Sequence, residues 1–178
     1  MQNNFIVEPK SRKDLRELTL IIRKIFSYEN TLYFPVTKFL EVLPEISNEF
    51  NFEIVEDHEL PFSVHADTDV LNHCIRIKNS VYENAHAGHG RDRMTIAHEI
   101  GHYFTICVLG FKLQRNFGNN PPRACEDPEW QAKCFAGELL VPAHLVSGMD
   151  AKSISMKCGV SLDAAQTQLK SLKGGGSR

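Results

Sequence analysis

The stretch His98-Glu99-Ile100-Gly101-His102, carried in the longer run Met94-Thr95-Ile96-Ala97 before it and Tyr103-Phe104-Thr105-Ile106-Cys107 after it, decides how this chain is read. A helix turns about 100° per residue, so histidines four apart lie on one face, where both imidazoles can reach a single metal ion. Glu99 falls between them in angle, and its longer side chain can accept a proton from a metal-bound water. The apolar residues Met94, Ile96, Ala97, Ile100, Phe104 and Cys107 predict a helix buried through the middle of a domain. Such a helix does not carry His, Glu and His unless something satisfies them, because unpaired polar groups cost several kcal/mol in an apolar interior. Gly101 costs about 1 kcal/mol of helix propensity relative to Ala, which the close approach of another backbone or of a substrate would explain.

A catalytic metal needs a third protein ligand and an open position. Downstream, Pro128 near a helix start, acids in the first turn and Pro142 after the end predict a helix of about a dozen residues. Glu129, Ala132, Ala136 and Leu140 recur on one face of it, and the two alanines would let it lie close against the histidine helix. The same Glu129 could equally be a first-turn acid that favours the helix dipole, and the pattern alone leaves both readings open.

Two extended motifs now stand in order. The run Arg91-Asp92-Arg93-Met94-Thr95-Ile96-Ala97-His98-Glu99-Ile100-Gly101-His102, followed by Glu129-x-x-Ala132-x-x-Phe135-Ala136-x-Glu138-Leu139-Leu140-x-Pro142, resembles the ImmA/IrrE family of metallopeptidases over roughly residues 10 to 172. The resemblance implies that His98, His102 and Glu129 hold Zn2+, with Glu126 as the fallback ligand, and that Glu99 is the general base. It implies a zinc metalloendopeptidase, a hydrolase of the anti-repressor type. Its substrate would be a helix-turn-helix repressor of the XRE type, whose cleavage relieves repression in a mobile element, a phage or a stress response. Family members commonly carry a further His shortly after the metal helix, whereas this chain continues Tyr103 to Val108 without one. The alternative function is a catalytically silent, antitoxin-like or adaptor protein that binds its partner without cutting it.

Composition sets bounds on the rest. With 20 Lys plus Arg against 22 Asp plus Glu, the net charge of -2 argues against a broad nucleic-acid footprint and so against direct nucleic-acid binding. No apolar run approaches the length of a membrane span or a signal-peptide core, so a cytoplasmic protein with no membrane association is expected. Five scattered cysteines without a C-x-x-C pair read as reduced, buried residues, and Cys125 and Cys134 match no usual zinc spacing.

Periodicity predicts an amphipathic helix from Ser11 to about Glu29 and a short helix after Pro35. Two alternating runs predict strands, one through Phe50, Phe52 and Ile54, the other through Leu71, His73, Ile75 and Ile77 after a polar turn at Asp67 to Asp69. Val81-Tyr82-Glu83 extends this sheet region toward a turn at Gly88 to Arg91. The order of elements fits an α+β zincin-like fold, a small, mostly antiparallel sheet packed against the active-site helix with further helices around it. The expected organisation is a metallopeptidase domain over residues 1–147, a helical appendage over 148–173 and a flexible tail over 174–178. In the appendage, Gly159-Val160-Ser161 has the form of a helix-turn-helix turn, but only Lys170 and Lys173 supply positive charge beyond it, which favours a packing role. The oxyanion donor stays open among Tyr82, His86, His89, Arg93 and Tyr103. His58, His65, His73 and His144 read as surface or packing residues.

Overall fold

A computed structural model of the chain describes residues 5–109, 114–115 and 123–174. In chain order the elements are β1 (Phe5–Ile6), α1 (Arg12–Ile25), α2 (Val36–Ile46), β2 (Asn51–Val55), β3 (Ala66–Asp69), β4 (Cys74–Lys78), α3 (Asn79–His86) and α4 (Gly90–His102). A π-helical turn, Tyr103–Val108, continues α4; β5 (Gln114–Arg115), α5 (Pro128–Leu140), α6 (Ala151–Cys158) and α7 (Leu162–Gly174) follow. The fold is α+β and zincin-like. Strand order in the three-stranded sheet is β2-β4-β3, with β2 parallel and β3 antiparallel to β4, while β1 and β5 form a separate antiparallel pair.

Local chemistry sets the helix boundaries. Ser11 and Asp14 form a reciprocal capping box at the start of α1, the Ser11 hydroxyl accepting from the Asp14 amide and the Asp14 carboxylate from the Ser11 amide. The helix stops at Ile25, short of Glu29, because Ser27 takes a left-handed conformation with φ 61°. At α5, Asp127 caps the Glu129 amide at 2.9 Å and Pro128 occupies the first turn, where its missing N–H costs nothing.

Two of the strand expectations are corrected. Leu71 and His73 lie in the turn before β4, and Asp67 to Asp69, read as a turn, belong to β3. Ala66-Asp67-Thr68-Asp69 lacks apolar alternation because it is the sheet's edge, where charged side chains face water and guard the unpaired backbone. Val81-Tyr82-Glu83 is helical, within α3, and only Val81 of the three is buried. A β-branched residue and an aromatic made this segment look extended; its packing between the sheet and α4 outweighs that propensity.

The core runs continuously from α2 through the sheet to α4, α5 and the last two helices. Ile96, Ala97 and Ile100 of α4 and Ala136, Leu139 and Leu140 of α5 are fully buried in it. Ile154, Cys158, Val160 and Ala165 join the same cluster, so the helix-turn-helix-like segment is packed into the core along its inner side. A Cβ on Gly90 would stand 2.5 Å from the Val160 carbonyl carbon, which shows how closely the α6–α7 turn presses on the start of α4. Gly175 to Arg178, most of the expected tail, lie outside the described residues.

Candidate active site

Helices α4 and α5 bring the three donor groups together. The imidazole Nε2 atoms of His98 and His102 are 3.0 Å apart, and the Glu129 carboxylate oxygens lie 3.4 Å from the first and 3.3 Å from the second. Gly101 makes this possible. A Cβ there would stand 3.0 Å from both Cα and the carbonyl oxygen of Ala132, so the two backbones touch where any larger residue would hold them apart. The first turn of α5 therefore places Glu129 over the histidines.

These separations suit a metal. At 3.0 Å the two ring nitrogens can share one proton as a hydrogen bond, or both can turn lone pairs to a cation set between them. Metal–ligand bonds of about 2.0–2.1 Å in a tetrahedron give ligand edges of about 3.3 Å. Among the described residues, His98, His102 and Glu129 are the group of His, Cys, Asp or Glu side chains arranged so that they could hold a metal ion. The neighbouring His102 and His98 rings hold the Glu129 carboxyl well below the ordinary range, which keeps it anionic. Glu126 belongs elsewhere. It caps a short 3-10 turn, accepting from the Arg123 amide at 3.1 Å and guanidinium at 2.6 Å.

Glu99 is only 8% exposed and faces the same cleft. Burial pushes its carboxyl up, opposed by the two imidazoles and by a hydrogen bond from Thr68. Thr68 Oγ1 lies 2.7 Å from Glu99 Oε2 and 3.2 Å from the Glu99 carbonyl oxygen. A hydroxyl has one proton to give, and the shorter contact to the carboxylate is the stronger of the two. One carboxylate oxygen is thereby held and the other is left available.

The cleft, of about 510 Å³, has the His98, His102 and Glu129 side chains on one wall and β3 on the other. Pairing of β3 with β4 fixes which backbone groups β3 leaves open. The Lys78 amide donates to the His65 carbonyl at 3.1 Å, which makes 65/78 a hydrogen-bonded pair and, by alternation, 67/76 and 69/74 as well. Ala66 and Thr68 therefore direct their N–H and C=O groups toward the free edge.

None of the five sequence candidates for an oxyanion donor lines this cleft. Tyr103 is buried with its hydroxyl 3.1 Å from Ser47, and the Tyr82 hydroxyl donates to Glu41 at 2.5 Å. His86 stacks beside Tyr82, and His89 is the residue that caps α4, 4.0 Å from Asp92. Arg93 is turned inward, donating to Gly159 and Cys158 carbonyls at 2.8 and 3.3 Å and to Phe34 at 2.9 Å, which ties α4 to the end of α6. His65 does line the cleft, as does Thr68, which periodicity could not have singled out in a four-residue polar strand.

With the geometry in view, sequence comparison becomes informative. The family model of the IrrE N-terminal-like domain, peptidase family M78, matches residues 55–170. The chain belongs to this family. Membership makes this M78 domain a metal-dependent peptidase by class, and the matched span includes β3, α4 and α5, which line the cleft, together with α6 and most of α7. No curated protein and no solved structure matches the chain significantly. No helix among the described residues of this M78 domain is long and apolar enough to cross a membrane.

Proposed function

We propose that this chain is a cytoplasmic zinc endopeptidase of the anti-repressor type. His98, His102 and Glu129 would hold zinc, Glu99 would act as general base, and the substrate would be an XRE-type repressor whose cleavage relieves repression. The observation that carries the reading is the coincidence of two imidazoles and a carboxylate at tetrahedral-edge separations with a buried carboxylate in the same cleft. Two nitrogens, one oxygen and an open fourth position form a ligand set typical of catalytic zinc. Bound zinc would acidify its water and polarise the scissile carbonyl.

The chain's own residues supply the rest. Glu99 takes a proton from the attacking water at the oxygen that Thr68 leaves free, then delivers it to the departing amine nitrogen. Its low exposure helps the first half of the cycle, because a carboxylate that holds a proton more readily than usual accepts it from water with less loss. An extended loop of the substrate would pair with the outward N–H and C=O groups of Ala66 and Thr68, adding a strand to the sheet beside the metal ligands. Because Thr68 both presents the free edge and holds Glu99, the strand that would carry the substrate also orients the base.

Purified protein should contain one zinc per chain. Incubated with the repressor encoded by the adjoining gene, it should release a fragment that a chelator suppresses. Glu99→Gln should keep the zinc and release none. Absence of any zinc-dependent fragment from the zinc-loaded protein would remove the repressor as substrate, and full activity in Glu99→Gln would remove the assigned base.

A further inference from the structure

Next to the cleft lies a second cavity, of about 800 Å³, which shares Ser63 and His65 with it. Its lining includes Lys78, Arg91 and Asp57. Lys78 is 6% exposed, an unusual place for an ammonium group. One of its three N–H bonds reaches the Pro61 carbonyl at 2.9 Å, and among the described residues it has no other hydrogen-bond acceptor and no ion pair. Arg91, exposed at the cavity wall, has the same lack of a carboxylate partner among the described residues; its nearest polar contact is His65 Nε2 at 3.4 Å.

Both cations stand at helix starts, where the helix dipole disfavours positive charge. Lys78 is the capping residue of α3, and Arg91 is in the first turn of α4, whose own capping residue, His89, makes no side-chain cap. The cavity does hold one carboxylate, Asp57, which accepts from the Ser80 amide at 3.0 Å and whose charge Lys78 helps to stabilise, so one of the two positive charges is partly offset. Two cations thus line a space that holds one carboxylate, a net excess of one positive charge. That balance favours an incoming carboxylate.

Position then says whose carboxylate. Arg91 precedes His98 by two turns, about 10 Å along the helix axis at 1.5 Å per residue. An extended peptide on β3 covers that distance in about three residues. Resting on the peptidase reading above, we propose that the Lys78–Arg91 cavity is a specificity subsite. It takes an aspartate or glutamate side chain of the substrate about three residues from the bond that is cut, on the side where β3 begins.

The test uses the full-length, zinc-loaded Glu99→Gln protein to bind a library of extended peptides randomised at each position, with wild-type protein cutting the same library in parallel. Bound peptides should be enriched at least about tenfold in Asp or Glu at one position. Adding Arg91→Glu, a change at an exposed residue, should turn that preference toward Lys or Arg, while Lys78→Met should weaken it without reversal. Absence of acidic enrichment at every position, or an enrichment that Arg91→Glu leaves unmoved, would overturn the subsite. Acid-selective binding without cleavage by the wild type would sink the peptidase reading and leave the subsite standing; cleavage without acidic preference would do the reverse.

Discussion

The two walls of the cleft are built on opposite principles. On one side α4 and α5 meet through Gly101 and Ala132, backbone against backbone, with Ile100, Ala136 and Leu140 wholly buried around the contact. On the other, β3 is four residues long, none of them fully buried, and joined to the sheet along one side only. The helical wall sets the donor atoms at separations of 3.0 to 3.4 Å, as chemistry requires. The strand wall keeps its backbone groups open, as recognition of an extended chain requires. The two are linked at one point, where Thr68 reaches across to Glu99.

The largest effect expected from testing this contrast is at the base. Glu99→Gln should lower turnover by about 10²–10⁴-fold with zinc content unchanged, the usual contribution of a general base. A loss of zinc in that variant would show that the carboxylate belongs to the metal-holding wall instead. Next comes the helix contact. Gly101→Val places two methyl groups where even one Cβ would press on the Ala132 backbone, so α4 and α5 must separate. The expected cost is about 1–3 kcal/mol of stability, read as a fall in melting temperature, together with weaker zinc binding. Unchanged zinc affinity at lowered stability would mean that Glu129 follows the histidines regardless of helix spacing.

Thr68→Val is the corresponding change on the strand wall. It leaves a buried carboxylate oxygen without its donor, which at about 1–3 kcal/mol corresponds to roughly a 5- to 150-fold fall in kcat, with KM little changed and Thr68→Ser restoring most of the loss. A change confined to KM would make Thr68 a substrate contact only.

A pH series on zinc-free protein separates the base from its surroundings. Burial raises the Glu99 carboxyl above its unfolded value, so the folded state binds the proton more tightly, and ionised Glu99 costs stability at neutral pH. Glu99→Gln should therefore melt higher than wild type at pH 7. The difference should shrink as pH falls through the raised value toward the ordinary carboxylate pKa of about 4.3. A constant difference would show that its origin is packing. The smallest effect concerns the far side of the core: burial pushes the Cys134 and Cys158 thiols up to about 11, so both should resist alkylation at pH 8 until the protein is unfolded.

What was legible in the sequence follows the same division. His98, Glu99 and His102 are spaced by the helix itself, so local periodicity placed them together before any tertiary contact was considered. Glu129 could be nominated because Pro128, Ala132 and Ala136 mark a helix start and a narrow face, and the buried α4–α5 contact is what those small residues predict. Sequence reasoning failed on the strand wall. Asp67 to Asp69 looked like a turn and Val81 to Glu83 like a strand, because edge strands and helices pressed between other elements take their conformation from neighbours distant in sequence. Arg93, one of five residues left open as the oxyanion donor, is turned away from the cleft because the start of α4 abuts the end of α6 and the guanidinium satisfies carbonyls there.

The sequence by itself determined the α+β fold class, the helix that sets His98, Glu99 and His102 within one turn and the helix that carries Glu129, because each is written in the periodicity of a single segment. Only the tertiary structure decided that Thr68 holds Glu99, that Ala66 and Thr68 present the open backbone edge, and that Lys78 and Arg91 meet in one cavity. Periodicity records how a segment meets the core but is silent on which surface elements face one another. A hydroxyl and a carboxylate 31 residues apart meet because a sheet edge and a helix share a wall, and no local spacing encodes that.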